Sequence, residues 1–227
     1  MAAAHWPTSA SVDAARAQLA EATSLLVRRD ADGSTSAPAV GVLSHDNGWD
    51  TGLRDGDYTV RMNLWWGVNG SSFRLYENGA LVAVQPLVYA GIAPQVAAVP
   101  ITGRRDGTYV YTGEIVNASG TTATRSVTVT VTDAAPGTPV LRHDNGDRDG
   151  RYTVTADMWW GTNATGYRFF ADGALVAEGT LDARTPRAQS ARLDVVGASR
   201  GTHLYRVEFF NAAGTTSSRT LQVTVTR

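Results

Sequence analysis

One stretch occurs twice, and it limits this chain more than any other feature: DYTVRMNLWWG at 57–67 and RYTVTADMWWG at 151–161. Tyr58, Val60, Met62 and Leu64 alternate with Thr59, Arg61 and Asn63, the pattern of a strand with one buried face. Carried forward, the register places Trp66 inward and Trp65 outward. The second copy repeats it, with Tyr152, Val154, Ala156, Met158 and Trp160 inward and Thr153, Thr155, Asp157 and Trp159 outward. Trp66 and Trp160 are therefore expected in a core, where truncation to Ala would cost about 3–5 kcal/mol. Trp65 and Trp159, with the outward neighbours Arg61, Asn63 and Asp157, are the candidate contacts for a ligand.

The repeat extends well beyond this stretch. With a constant shift of 94, residues 54–133 align to 148–227 without a gap, at about forty per cent identity. Upstream, His45-Asp46-Asn47-Gly48 matches His143-Asp144-Asn145-Gly146, and the first copy carries four extra residues between. From Ala39 each copy reads as seven short strands with a turn about every ten residues. Asn78-Gly79 and Asp172-Gly173 carry a type I′ hairpin signal. The reading is all-β: two tandem seven-stranded sandwiches of immunoglobulin or fibronectin III type. The expected domains are 37–134 and 135–227, after an N-terminal helix and linker over 1–36. The helix spans 8–30, with Val12, Ala15, Leu19, Ala22 and Leu26 on one stripe, and Ser34-Thr35-Ser36-Ala37-Pro38 is a polar linker. The apolar stripe of the helix is small, so residues 1–36 read as dispensable to both sandwiches.

Composition narrows the function classes. A net charge of −1 gives no field that favours nucleic acid or an anionic membrane. No apolar run reaches the ~20 residues of a membrane span. The chain has no Cys, which excludes disulfides and thiolate metal sites. The start MAAAHWPTSA lacks a basic region followed by an apolar one; a secreted protein is expected, with its export signal upstream.

Chemical motifs are sparse. Asn145, Asp147, Asp149 and Gly150 imitate the opening of a calcium loop, but position twelve is Ala156 and the first copy breaks the spacing. Turn chemistry accounts for the same residues. Glu114 and Glu208 recur without a second carboxylate at a known spacing, and glycoside hydrolysis needs two. No GxSxG, HExxH or phosphate loop occurs. The chain is read as non-catalytic, without cofactor and monomeric. Tyr109, after Asp106-Gly107, suits a tyrosine corner, a role the second copy lacks because His203 stands there. Asn69-Gly70-Ser71 and Asn163-Ala164-Thr165 are read as turns, although both fit the glycosylation acceptor pattern.

Four features carry a family resemblance: Asn63-Leu64-Trp65-Trp66-Gly67 with its twin at 157–161, the hairpin Asn78-Gly79, Gly107-Thr108-Tyr109, and the turn Asn117-Ala118-Ser119-Gly120. Through them the repeats resemble the immunoglobulin/fibronectin-like accessory modules of bacterial chitinases and related glycosidases, including the N-terminal module of chitinase A. SVDAARAQLAEATSLL in the helix resembles the last helix of the FIVAR module of secreted Gram-positive glycosidases. The resemblance implies a non-catalytic region that presents exposed Trp65 and Trp159 to chitin or a similar β-linked polysaccharide, beside the catalytic domain of a parent enzyme. It departs from the family at Met62 and Ala156, where that family has the first Trp of its run, and at Trp66 and Trp160. A pure spacer and a cell-surface adhesin built of such repeats are the alternative readings.

Overall fold

The computed structural model describes residues 32–227, together with Val12, Asp13, Ala15, Arg16, Gln18 and Leu19. Those six residues are helical; the rest of the helix expected over 8–30 lies outside the described residues. The chain forms two compact units. One holds the described residues up to Asn47 with Asp57–Thr102 and Gly107–Thr130, the other Gly48–Gly56, Gly103–Asp106 and Val131–Arg227.

In the first unit, alternation produces the strands the pattern calls for. They are β1 (Val42–His45), β2 (Tyr58–Leu64), β3 (Ser72–Glu77), β4 (Ala80–Pro86), β5 (Gln95–Ile101), β6 (Gly107–Asn117), β7 (Gly120–Ala123) and β8 (Val127–Val131). One antiparallel sheet runs β1-β2-β5; the other runs β4-β3-β6, with β7 and β8 both on β6. The seventh strand of the sandwich thus comes in two pieces. Val60, Met62 and Leu64 from β2 are fully buried, as are Phe73, Leu75, Tyr111, Ile115 and Val129 from the facing sheet. Burial of each such side chain stabilises by about 1.5–3 kcal/mol.

The second unit repeats the design with β9 (Val140–His143), β10 (Arg151–Met158), β11 (Gly166–Ala171), β12 (Ala174–Thr180), β13 (Gln189–Val196), β14 (Gly201–Phe210), β15 (Thr215–Ser217) and β16 (Leu221–Val225). Its sheets are β9-β10-β13 and β12-β11-β14, with β15 and β16 both on β14. Val154, Ala156, Met158, Phe169, Val207, Phe209 and Val223 form its core. The fold is all-β, two tandem sandwiches of three strands against four.

The buried tyrosine is not the one expected. Tyr109 is only half-buried, whereas Tyr111 is fully buried and its hydroxyl lies 2.9 Å from that of Tyr58. Tyr111 donates to the Glu77 carboxylate, so the Tyr58 hydroxyl donates to Tyr111. Burial, then these hydrogen bonds, push the Tyr111 phenol far above its ordinary range. Tyr152 and Tyr205 repeat the pair at 2.8 Å, so the tyrosine contact is shared by both copies.

Three carboxamides close one end of each sandwich. Gln95 accepts from Gly70 N and donates through Nε2 to Gly70 O and Val88 O. Asn69 donates to Ala93 O and accepts from Ala90 N. Asn117 donates to Asn69 O and Ser36 O and accepts from Ser119 N and Gly120 N. Gln189, Asn163 and Asn211 repeat this role: Gln189 clasps both backbone groups of Ala164 and the carbonyl of Asp182. Asn69 and Asn163 are almost completely buried and fully engaged, in keeping with their reading as turn residues.

The segment read as a polar linker is fastened to this end. Ala118 N donates to Asp32 Oδ2, Ser119 N to Ser34 Oγ, Ser119 Oγ to Ser34 O, and Thr122 Oγ1 to Pro38 O. With Ser36 O receiving Asn117, residues 32–38 are part of the first sandwich's hydrogen-bond framework. Removing residues 1–36 would take away the bonds made by Asp32, Ser34 and Ser36 and leave that of Pro38.

Both hairpins take the type I′ turn the sequence signals. Asn78 and Gly79 have φ of 50° and 84°, Asp172 and Gly173 of 49° and 87°. The second turn also carries an ion pair. His203 Nδ1 lies 3.1 Å from Asp172 Oδ2 and Nε2 lies 2.9 Å from Ser199 O. The Ser199 carbonyl, then Asp172, raise the His203 pKa; the Leu204 N–H, then His203, lower that of Asp172.

Two outcomes follow from this framework. Gln95→Leu keeps the shape but strips buried polar groups of their partners. It is expected to cost about 2–4 kcal/mol in urea denaturation, as is Gln189→Leu in the second unit; a loss below about 0.5 kcal/mol contradicts the bracing role. His203, with a raised folded value, stabilises below its unfolded pKa and loses that contribution as pH rises through the raised value. Asp172, with a lowered value, stabilises above its unfolded pKa and loses that contribution as pH falls through the lowered one. The pair therefore works best between about pH 4 and 6.5. Thermal melts should show stability declining above that window in the wild type, and this decline should be absent in His203→Tyr, which installs the residue of the first copy.

Candidate functional site

The strand that carries each tryptophan pair stops one residue before it. β2 ends at Leu64, paired with Gln95, and β10 at Met158, paired with Gln189. Both partners are the bracing glutamines. Beyond them the chain leaves the sheet. Ala39 N donates to Val68 O, and Gly137 N to Thr162 O, which pins the loop to the segment ahead of the first strand. Gly67 and Gly161 make this approach possible. Their φ values are 112° and 142°, and a Cβ on Gly67 would stand 2.4 Å from that of Ala39.

The expected burial of Trp66 and Trp160 is therefore wrong. Trp65 and Trp66 are 69% and 71% exposed, Trp159 and Trp160 70% and 57%. The inward–outward alternation holds only while the chain stays in the ladder. Beyond Leu64 the backbone is held instead by hydrogen bonds from Asn69, Gln95 and Asn117. Both indoles of each pair project from the loop into solvent, and the 3–5 kcal/mol expected for their truncation falls away.

The sequence reading also missed Trp49, which is 86% exposed. It lies among the four residues that the first copy carries in excess, and an extra tryptophan in such an insertion was the available signal. Every described tryptophan is exposed. Scattered apolar side chains on a surface need no explanation; adjacent pairs of the largest side chain, repeated at a shift of 94, do.

The other candidates are placed as follows. Arg61 is half exposed, with its guanidinium 3.9 Å from Asp46. Asn63 Nδ2 lies 3.5 Å from Ser44 Oγ. Asp157, expected outward, is buried instead: Oδ2 accepts from Arg142 Nε at 2.7 Å and Oδ1 from Ser190 Oγ at 2.8 Å. Both of its oxygens are engaged within the sheet, so it serves the fold beside Trp159.

The residues of the calcium-like opening do not converge. Asn145 is buried and donates to Thr224 O, Asp149 Oδ1 accepts from Arg151 N, and Asp147 is exposed. Among the described residues, no group of three or more His, Cys, Asp or Glu stands where it could hold a metal ion. The repeated His-Asp-Asn-Gly serves the turn: Asp46 accepts from Thr59 N and Asp144 from Thr153 N, while Asn47 and Asn145 donate to Thr130 O and Thr224 O on the last strands. Glu114 pairs with Arg74 directly across the strands and accepts from Tyr76; Glu208 pairs with Arg206.

No family model matches the chain, and no curated protein matches it in sequence. Similar solved structures include fibronectin(III)-like modules of Clostridium thermocellum CbhA. There the alignment covers 75% of this chain and 86% of that one, at 15% identity and a TM-score of 0.28. The human OSCAR ligand-binding domain aligns over 83% of this chain and 100% of its own, at 13% identity and a TM-score of 0.31. The BSP domain of a biofilm associated protein aligns over 83% of this chain at 14% identity and a TM-score of 0.30; the match spans 29% of that longer chain. The two sandwiches are of immunoglobulin/fibronectin III-like type, a description that rests on the strand order given above.

Because the four indoles lie outside both cores, Trp65→Ala, Trp66→Ala, Trp159→Ala and Trp160→Ala should each change stability by no more than about 0.5 kcal/mol. Thermal denaturation of the four variants checks this, and a drop of several degrees in the Trp66 or Trp160 variant would restore the core assignment.

Proposed function

We propose that this chain is a non-catalytic, carbohydrate-binding region of a secreted polysaccharide-degrading enzyme, and that it holds a chitin-like β-linked polymer on its paired tryptophans. One observation carries the reading: Trp65-Trp66 and Trp159-Trp160 are solvent-exposed on loops held by a rigid framework. Pyranose rings present C–H groups on their faces, and these stack on flat indoles. Trp supplies that area with only two rotatable bonds to order. Adjacent indoles on a braced loop offer more contact than a single ring, and two such pairs on one chain make the second contact intramolecular. The polymer class and the parent enzyme follow from the resemblance of the Trp-Trp-Gly strand and its turns to chitinase accessory modules.

Retention on washed chitin, cellulose and xylan tests this reading. The wild type should be retained on at least one polymer. Changing both members of one pair to Ala should weaken retention, and changing all four should abolish most of it with the melting temperature preserved. Wild-type protein that washes off every polymer as readily as the four-fold variant overturns the proposal, and a spacer role takes its place.

A further inference from the structure

The two tryptophan pairs have different surroundings, and the difference lies in what stands beside Trp160. In the second unit, Leu53, Asp133, Pro136, Thr138, Trp160 and Thr216 line a hollow of about 350 Å³, within the size range of small-ligand sites. The indole has a neighbour there. A methyl on Gly52 would stand 3.6 Å from Trp160 Cζ2, so the 48–56 segment lies against the ring edge. This contact fits the lower exposure of Trp160 relative to Trp66.

The polar groups of the hollow are held in place. Asp133 Oδ2 accepts from Arg54 N at 2.9 Å and Thr132 Oγ1 at 3.2 Å. Both of these bonds fall on the same carboxylate oxygen. Thr162 Oγ1 donates to the Asp133 carbonyl, which ties the Trp-Trp-Gly loop to the same segment. Thr138 and Thr216 complete the lining with hydroxyls that can both donate and accept.

The first copy differs at the aligned positions. Structural equivalence is fixed by matching contacts: Ala39 N to Val68 O corresponds to Gly137 N to Thr162 O. By that alignment Thr138 and Thr162 are replaced by Val40 and Val68. Val40 is exposed. Asp133 and Thr216 correspond by the same kind of match to Thr35 and Thr122, so the first copy keeps hydroxyls at those positions but has no carboxylate, and the Thr122 hydroxyl is bonded to Pro38 O.

Building on the carbohydrate reading above, we infer that the hollow beside Trp160 is a subsite for a single neutral pyranose unit, and that the first copy, which lacks the carboxylate and the Thr138 hydroxyl, has no equal of it. One sugar face stacks on the indole, and its hydroxyls meet Thr138, Thr216 and Asp133. The carboxylate disfavours uronic acids by like-charge repulsion.

The test is titration of the full chain with soluble hexaoses of β-1,4-linked N-acetylglucosamine, glucose and xylose, and with a hexauronate, followed by calorimetry. The wild type should bind at least one neutral hexaose and not the hexauronate. Trp160→Ala and Thr138→Tyr, which fills the hollow from an exposed position, should each weaken that binding at least ten-fold, while Val88→Ala, at an exposed position outside both tryptophan pairs, leaves it within two-fold. An unchanged melting temperature for Thr138→Tyr shows that the loss is local, and Thr216→Tyr provides a second filling variant if Thr138→Tyr unfolds. Val88→Ala matching Trp160→Ala, or undiminished binding in the filling variants, overturns the subsite. So does a wild type that is retained on polymer but binds no hexaose, in which case the surface-contact reading stands. A wild type that neither binds a hexaose nor is retained on polymer overturns both.

Discussion

The structure of each repeat depends on a buried carboxamide clasp. Gln95 holds both backbone groups of Gly70, and Asn117 and Asn69 fasten the adjoining segments; Gln189, Asn211 and Asn163 do the same 94 residues on. Loop backbone at the end of a sandwich cannot join a strand ladder, yet its polar groups cannot be left dry without a partner. A carboxamide solves both problems, since it donates and accepts and matches the peptide group. The same end also receives residues 32–38 in the first copy, so one set of side chains organises several crossing segments. The Tyr58–Tyr111 and Tyr152–Tyr205 pairs add a second polar tie within each core.

The exposure of the tryptophans follows from that clasp. The glutamines pair with the last ladder residues, Leu64 and Met158, and bond the backbone of the loop that follows them. The chain turns out through Gly67 or Gly161, and the two indoles go with it. A site made this way is firm without being part of the core: its backbone is fixed by buried bonds, while its aromatic faces remain in water. Such a division suits recognition, because contact residues can differ between copies without disturbing the fold. The Val40–Thr138 and Val68–Thr162 exchanges are differences of this kind.

The strands were legible in the sequence because alternation is local and the hairpin signals are strong. Both I′ turns sit where Asn78-Gly79 and Asp172-Gly173 indicate, and the core faces of β2 and β10 match the pattern through Leu64 and Met158. The pattern fails at the following residues because periodicity carries no mark for the end of a ladder. What ends it is a clasp of residues 69, 95 and 117, far apart in the chain; only their joint recurrence at 163, 189 and 211 could have revealed it. Tyr109 and Tyr111 show a related limit. Two residues apart on one strand, they share a face, and alternation cannot say which lies deeper. Asp157 is buried because outward on a strand does not mean exposed when Arg142 and Ser190 cover the side chain. Trp49 escaped notice because it has no partner in the second copy.

Oxidative footprinting, read residue by residue with and without saturating insoluble polysaccharide, bears most directly on the claim that both indoles of each pair stand outside the core to contact a polymer. In the free protein Trp65, Trp66, Trp159 and Trp160 should all oxidise readily, and the polymer should protect them while exposed side chains elsewhere, such as Val88, keep their reactivity. Slow oxidation of Trp66 and Trp160 in the free protein, or equal oxidation of all four with and without every polymer tried, would contradict it.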